Sequence, residues 1–353
     1  MNIERHYDGT NFITGLRAIA VLMVFLIHSG GGGLREINYI FNNIVDYGRY
    51  GVEIFFVISG FTIYNQFLNA GYTPQKFLLV RFMRISLPYF ALLIFLGILI
   101  MLGVYGGASY WLNYYSLDNI TTTNYLSHFL YLGALNPEYA NSIIGVEWTL
   151  NIEAFMYFIF FGIALLSVRV FTFKFTLLLF IFTACIHVFG ILLSSNFFNL
   201  KIIDGISFHY SPIKWVCLFF LGGLAYHLRY KLMAHNLTRL VLLMSLIIYI
   251  IAITLPINAV VLTWVFSLIA FILIIGVKDN NNHAFILNNK IIVFLGSISF
   301  SFYLIHILVI NYVGNNGFVD FILSLALTLI ISFVWYLVFE KIIYTNLKKR
   351  VVR

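Results

Sequence analysis

The sequence predicts an all-α fold, a polytopic transmembrane helical bundle of about ten spans. Three observations predict it. Of its 353 residues, 61% are hydrophobic and only 10% charged, with a mean hydropathy of +0.95. Soluble domains are about half apolar and about a quarter charged, so lipid is the solvent that suits this chain. The apolar residues also fall in long runs, and those runs lack the period-two alternation of membrane-barrel strands.

A spanning helix needs roughly 20 mostly apolar residues. Ten segments qualify: 13–30, 50–68, 83–105, 145–168, 173–194, 212–229, 237–255, 257–277, 291–313 and 319–344. The first resembles a secretory signal only superficially. It is too long for one and holds Arg17 and His28, so it reads as a retained span. The stretch 125–135 is too short to cross and is expected to be re-entrant or interfacial. No repeat and no long linker divides the chain, so one membrane domain over 1–353 is expected.

Lys and Arg set the orientation. Connections after the even-numbered spans carry 15 of them, and those after the odd-numbered spans carry 4: Arg35, Arg49, Lys201 and Lys214. Cytoplasmic loops hold the excess of positive charge, so both termini are expected in the cytoplasm. The same topology accounts for the net charge of +8. The basic residues are too dispersed for a nucleic-acid partner. The C-terminal Lys348, Lys349, Arg350 and Arg353 are placed to meet anionic membrane lipids.

Ionisable side chains inside spans are costly and need a partner or a function. Arg17 and His28 are eleven residues apart, about three whole helical turns, so they share a face some 16 Å apart along the axis. Glu53, Glu153 and His306 fall at a depth similar to that of His28 on other spans. A carboxylate there would orient the imidazole and raise its basicity; unrelated interhelical hydrogen bonds are the alternative. A second cluster lies at the cytoplasmic side. Arg81 and Arg84 are three apart and hence neighbours on a helix, Lys76 precedes them, and Arg17 and Glu340 lie at comparable depth. Paired guanidinium groups suit phosphate, whereas ordinary flanking charge is the plain reading of Arg81 alone.

Three further features read as structural. The Ser29–Gly33 run lacks the Lys-Ser/Thr of a phosphate loop and is expected to end a helix. Tyr105, Tyr110, Trp111, Tyr114 and Tyr115 suit an interfacial aromatic belt, with sugar stacking as the alternative. Cys185 and Cys217 show no metal or redox spacing and are expected to be buried. No metal site is expected.

The pieces 15-GLRAIAVLMVFLIH-28, 51-GVEIFFVISGF-61, 81-RFMR-84, 148-WTLNIEAFMY-157, 295-LGSISFSFYLIH-306 and 339-FE-340 together resemble the integral-membrane acyltransferase-3 family. Members acylate cell-surface polysaccharides and related acceptors. The chain departs from the family in having Ala154 after Glu153, Glu53 where Asp is common, and no proline after Glu340. With few residues after the tenth span, the soluble domain that some relatives carry is not expected.

The resemblance implies a multi-pass protein of the bacterial cytoplasmic membrane that takes an acyl group, acetyl in the first instance, from acetyl-CoA or another acyl-CoA. The acceptor would be a hydroxyl of an extracytoplasmic polysaccharide or lipid-linked saccharide. Arg81, Arg84 and Lys76 would meet the CoA phosphates, Arg17 would line the pantetheine path, and His28 would act as general base oriented by Glu153 or Glu53. A transporter or flippase using the same residues as a proton relay is the competing class.

Overall fold

The computed structural model describes residues 11–105, 120–194, 205–232, 237–278, 284–315 and 317–352. The described residues are helical or loop, with no strand among them. The principal helices are α1 (Asn11–His28), α2 (Tyr39–Asp46), α3 (Gly51–Leu68), α4 (Pro74–Met101), α5 (Thr122–Phe129) and α6 (Trp148–Leu166). They are followed by α7 (Phe173–Ser194), α8 (Gly205–Tyr210), α9 (Pro212–Leu232), α10 (Thr238–Thr254) and α11 (Ala259–Gly276). The C-terminal part holds α12 (Phe285–Asn288), α13 (Lys290–Ser297), α14 (Ser299–Val313), α15 (Phe318–Trp335), a π-helical segment Tyr336–Tyr344, and α16 (Thr345–Val352).

Seven helical stretches are long and apolar enough to cross a membrane, and an eighth is added if α13 and α14, bent by 72°, form one broken span. The expectation of ten is not met on these criteria, for two physical reasons. Helix α10 has only 17 residues. Helix α9 has 21 but carries Lys214, Arg229 and Lys231. It packs in the middle of the bundle, where Cys217, Leu218, Phe219 and Ala225 are fully covered. A helix walled by other helices need not match lipid. Its Arg229 side chain is buried and donates to the carbonyls of Ile274 and Val277, both at 2.7 Å.

Helices α3 and α9 form the central crossing, and two glycines permit it. A Cβ on Gly60 would stand 2.0 Å from the Phe219 carbonyl oxygen, and one on Gly222 would stand 2.1 Å from that of Val57. Small residues that let backbones touch are the usual adhesive of membrane helices. Large apolar side chains elsewhere face outward, as Phe182, Phe189 and Leu178 do on α7.

Helix α1 ends at His28, and Gly30 to Gly33 all take positive φ, from 61° to 92°. Four left-handed residues cannot extend a helix, so the chain turns away directly beyond the histidine. The segment 125–135 forms the short helix α5 and a following turn, with Asn124 and His128 buried. Cys217 is buried, but Cys185 is exposed. This corrects the expectation for Cys185: in a membrane protein an apolar stretch is as well placed against lipid as in the core. Of the aromatic run, only Tyr105 falls within the described residues, and its hydroxyl donates to the Ile143 carbonyl at 2.5 Å.

Candidate active site

Two cavities share a wall inside the bundle. The inner one is narrow, about 90 Å³, and is lined by Arg17, Ser59, Thr62, Arg81, Arg84, Thr149, Glu153 and Ser299 among others. The outer one is wide, about 730 Å³, and is lined by His28, Arg49, Glu53, Trp148, His209 and Lys214 among others. Val52 and Tyr303 line both. The Tyr303 hydroxyl is held in place, accepting from Thr149 Oγ1 at 2.9 Å and donating to the Val146 carbonyl at 3.1 Å.

Helical spacing builds the inner cavity. Helix α3 presents Val52, Phe55, Phe56, Ser59 and Thr62, which recur every three or four residues along one face. Helix α4 presents Arg81, Arg84 and Ile85 in the same way. Arg81 is anchored: Nε donates to Gln66 at 2.7 Å, an Nη to Thr62 at 2.8 Å, and the guanidinium lies 5.5 Å from the centre of the Tyr157 ring. Arg17 and Arg84 make no side-chain hydrogen bond or close ion pair among the described residues. Glu153 and Glu340 act on both electrostatically. Buried Glu340 sits on the π-helical segment and accepts from Ser301 Oγ at 2.6 Å. Lys76 does not line this cavity; it stacks on Tyr72 at 5.3 Å in the first turn of α4.

Of the two carboxylates expected near His28, Glu153 is elsewhere. Glu153 accepts from Ser59 at 2.9 Å and from the Tyr157 hydroxyl, and it opens on the inner cavity with the arginines. The physical reason is helical rise: Trp148 lines the outer cavity, and Glu153 lies five residues, about 7.5 Å, further down α6. Glu53 does share the outer cavity with His28, and it accepts from Thr263 Oγ1 at 3.3 Å.

The partner of His28 is His306. Nδ1 of His28 lies 2.9 Å from Nε2 of His306, and the rings stack at 5.1 Å. His306 Nδ1 lies 2.7 Å from the Tyr303 carbonyl oxygen. A carbonyl only accepts, so His306 carries its proton on Nδ1. With both rings neutral, His306 Nε2 is then an acceptor and His28 Nδ1 is the donor. The lone pair of His28 therefore resides on Nε2. The depth of His306 was legible in the sequence, but its pairing across 278 residues was not.

The sequence also passed over the cations of the outer cavity. Arg49 and Lys214 counted there only as loop charges. Lys214 Nζ donates to His209 Nδ1 at 3.0 Å and lies 4.2 Å from the centre of the Trp215 ring. Burial, then the nearby Lys214 and Arg49, pull His209 down to about 3, so it stays neutral and can accept that bond. Glu147, which tops α6, is a frame rather than a reactant. Its carboxylate accepts from the backbone N–H groups of Ile143, Ile144, Gly145 and Val146.

A basic recess and a histidine-bearing chamber thus meet at Val52 and Tyr303 inside a bundle of membrane-length apolar helices. The model of the acyltransferase-3 family, described as an acyltransferase domain, matches residues 10–340, and the chain belongs to that family. It is a multi-pass membrane acyltransferase. No curated protein and no solved structure gives a significant match to the chain.

Proposed function

We propose that the protein moves an acyl group, acetyl in the first instance, from acyl-CoA on the cytoplasmic side to a saccharide hydroxyl on the extracytoplasmic side. The observation that carries this reading is the shared wall between a narrow arginine-lined cavity and a wide cavity that holds His28. The inner cavity is too narrow for a sugar but suits the thin pantetheine arm, and Arg17, Arg81 and Arg84 offer charge to the phosphates. The outer cavity falls within the ordinary size of a small-ligand site. The Lys/Arg bias supports an inner side at the arginines.

In this mechanism Nε2 of His28 takes the proton of the acceptor hydroxyl while its oxygen attacks the thioester carbonyl. The C–S bond then breaks, an ester forms, and the proton returns to the departing CoA thiolate. His306 holds the His28 tautomer that leaves Nε2 basic. Glu53, facing the same chamber, would assist the imidazolium, and Glu153 would balance the inner arginines. Cys217 is committed to packing and Cys185 lies on the outside of α7, which supports direct transfer.

The test is CoA release from acetyl-CoA by purified protein in nanodiscs, together with ester formation on saccharide. His28→Ala should lose about 10²–10⁴-fold in turnover, the usual worth of a general base. A folded His28→Ala variant with near-normal turnover would overturn the role of His28. A wild-type protein that binds no acyl-CoA and releases no CoA would favour the transporter reading.

A further inference from the structure

We infer that the acceptor is an acidic saccharide, one carrying a carboxylate or phosphate group, which Arg49 and Lys214 recognise in the outer cavity. This rests on the acyl-transfer reading above and names the substrate class for it.

The inference starts from charge balance in the cavity. Its described lining holds three cations, Arg35, Arg49 and Lys214, and one carboxylate, Glu53. Arg35 is already paired, with Asp46 at 2.8 Å. Lys214 faces Glu53, and the two act on each other electrostatically. Arg49 is left over. Its Nε donates to the Asp46 backbone carbonyl at 3.0 Å, which supplies no countercharge. Among its described residues the cavity lining therefore carries an excess positive charge, and Arg49 is exposed, so an anion entering the cavity can reach it.

Both cations address the reaction chamber itself. Arg49 acts electrostatically on His28, Glu53 and His209, and Lys214 acts on Glu53 and His209. Lys214 is also held in place, between His209 and the Trp215 face. Next to it Trp148 packs at 4.9 Å from His209 and 5.6 Å from Trp215, presenting a half-buried aromatic surface to the cavity. An aromatic wall with a few convergent polar groups is the ordinary make-up of a specific small-molecule site. Here the ring would lie on the wall, the acidic group would meet Arg49 and Lys214, and the hydroxyl would be left towards His28.

The experiment uses the full chain in phosphatidylcholine nanodiscs, where no acidic lipid competes, with radiolabelled acetyl-CoA. The acceptor is surface glycan extracted from cells lacking the protein. It is supplied untreated, carboxyl-reduced by carbodiimide and borohydride, or freed of phosphate by hydrofluoric acid. The expected result is labelling of untreated glycan that is lost in one treated arm, which names the acidic group. Arg49→Gln and Lys214→Gln should each raise the acceptor KM about tenfold or more, the loss of one charge-assisted hydrogen bond, with the acetyl-CoA KM unchanged. Equal labelling of all three glycans, or variants with wild-type acceptor KM, would overturn the inference and leave acyl transfer standing. Absence of both labelling and CoA release would overturn acyl transfer and this inference with it.

Discussion

Replacing His306 with leucine isolates the tautomer argument. His306 lines neither cavity, so its loss should reach the chemistry only through His28. In the wild type, His28 Nδ1–H is satisfied by His306 Nε2 at 2.9 Å. Leucine fills much of the volume but accepts nothing. The productive tautomer then leaves a buried N–H unsatisfied, at a cost of about 1–3 kcal/mol. Each 1.36 kcal/mol is tenfold in rate, so turnover should fall roughly 5- to 150-fold. KM for acetyl-CoA should stay put. His306→Gln is the control, since its side-chain oxygen reaches about where Nε2 stands and can accept the same bond. It should recover most of the loss. The assay is CoA release in nanodiscs, with thermal unfolding run alongside to confirm that each variant is folded. A folded leucine variant with wild-type turnover would refute the reasoning. So would a glutamine variant as slow as leucine, because the effect would then be packing and not proton placement.

Other outcomes follow from the same geometry. Arg84→Ala should weaken acyl-CoA binding in a titration while leaving the fold intact, and unchanged affinity would remove Arg84 from the donor site. Val52→Trp places bulk on the wall common to both cavities; it should block acyl transfer yet leave acyl-CoA binding near normal, and transfer at the wild-type rate would show that the group does not pass there. Gly222→Leu must displace α9 from α3, since even a Cβ meets the Val57 carbonyl oxygen at 2.1 Å. Overpacking of this kind costs about 1–3 kcal/mol or more, to be read as a lowered Tm in detergent. Glu147→Ala strips the acceptor from four backbone N–H groups and should also lower the Tm, by more than Glu147→Gln does, because the amide oxygen keeps part of the acceptor set.

What can be read along one helix was legible in the sequence. Apolar run lengths gave the helices and the membrane, because lipid admits few other structures. The eleven-residue interval in α1 put Arg17 and His28 on one face, and the structure has them facing the inner and outer cavities respectively. The three-residue interval in α4 likewise aimed Arg81 and Arg84 at one space. The count of ten spans is not confirmed at α9, because hydropathy reports the solvent around a helix and α9 is surrounded largely by protein.

Pairing between helices is a different kind of information. Glu153 and His306 stood at similar depths in the sequence, and nothing local distinguished which would meet His28. The packed positions of the helices decided it, setting Glu153 deeper, against Ser59, and bringing His306 to His28. Those positions are set through contacts such as the Gly60 and Gly222 approach, and those contacts join residues far apart in the chain. Periodicity and charge thus settled which residues stand in the membrane interior and on which helix. Only the tertiary packing decided that they form two chambers with one wall, and that Arg49 and Lys214 belong to the outer one.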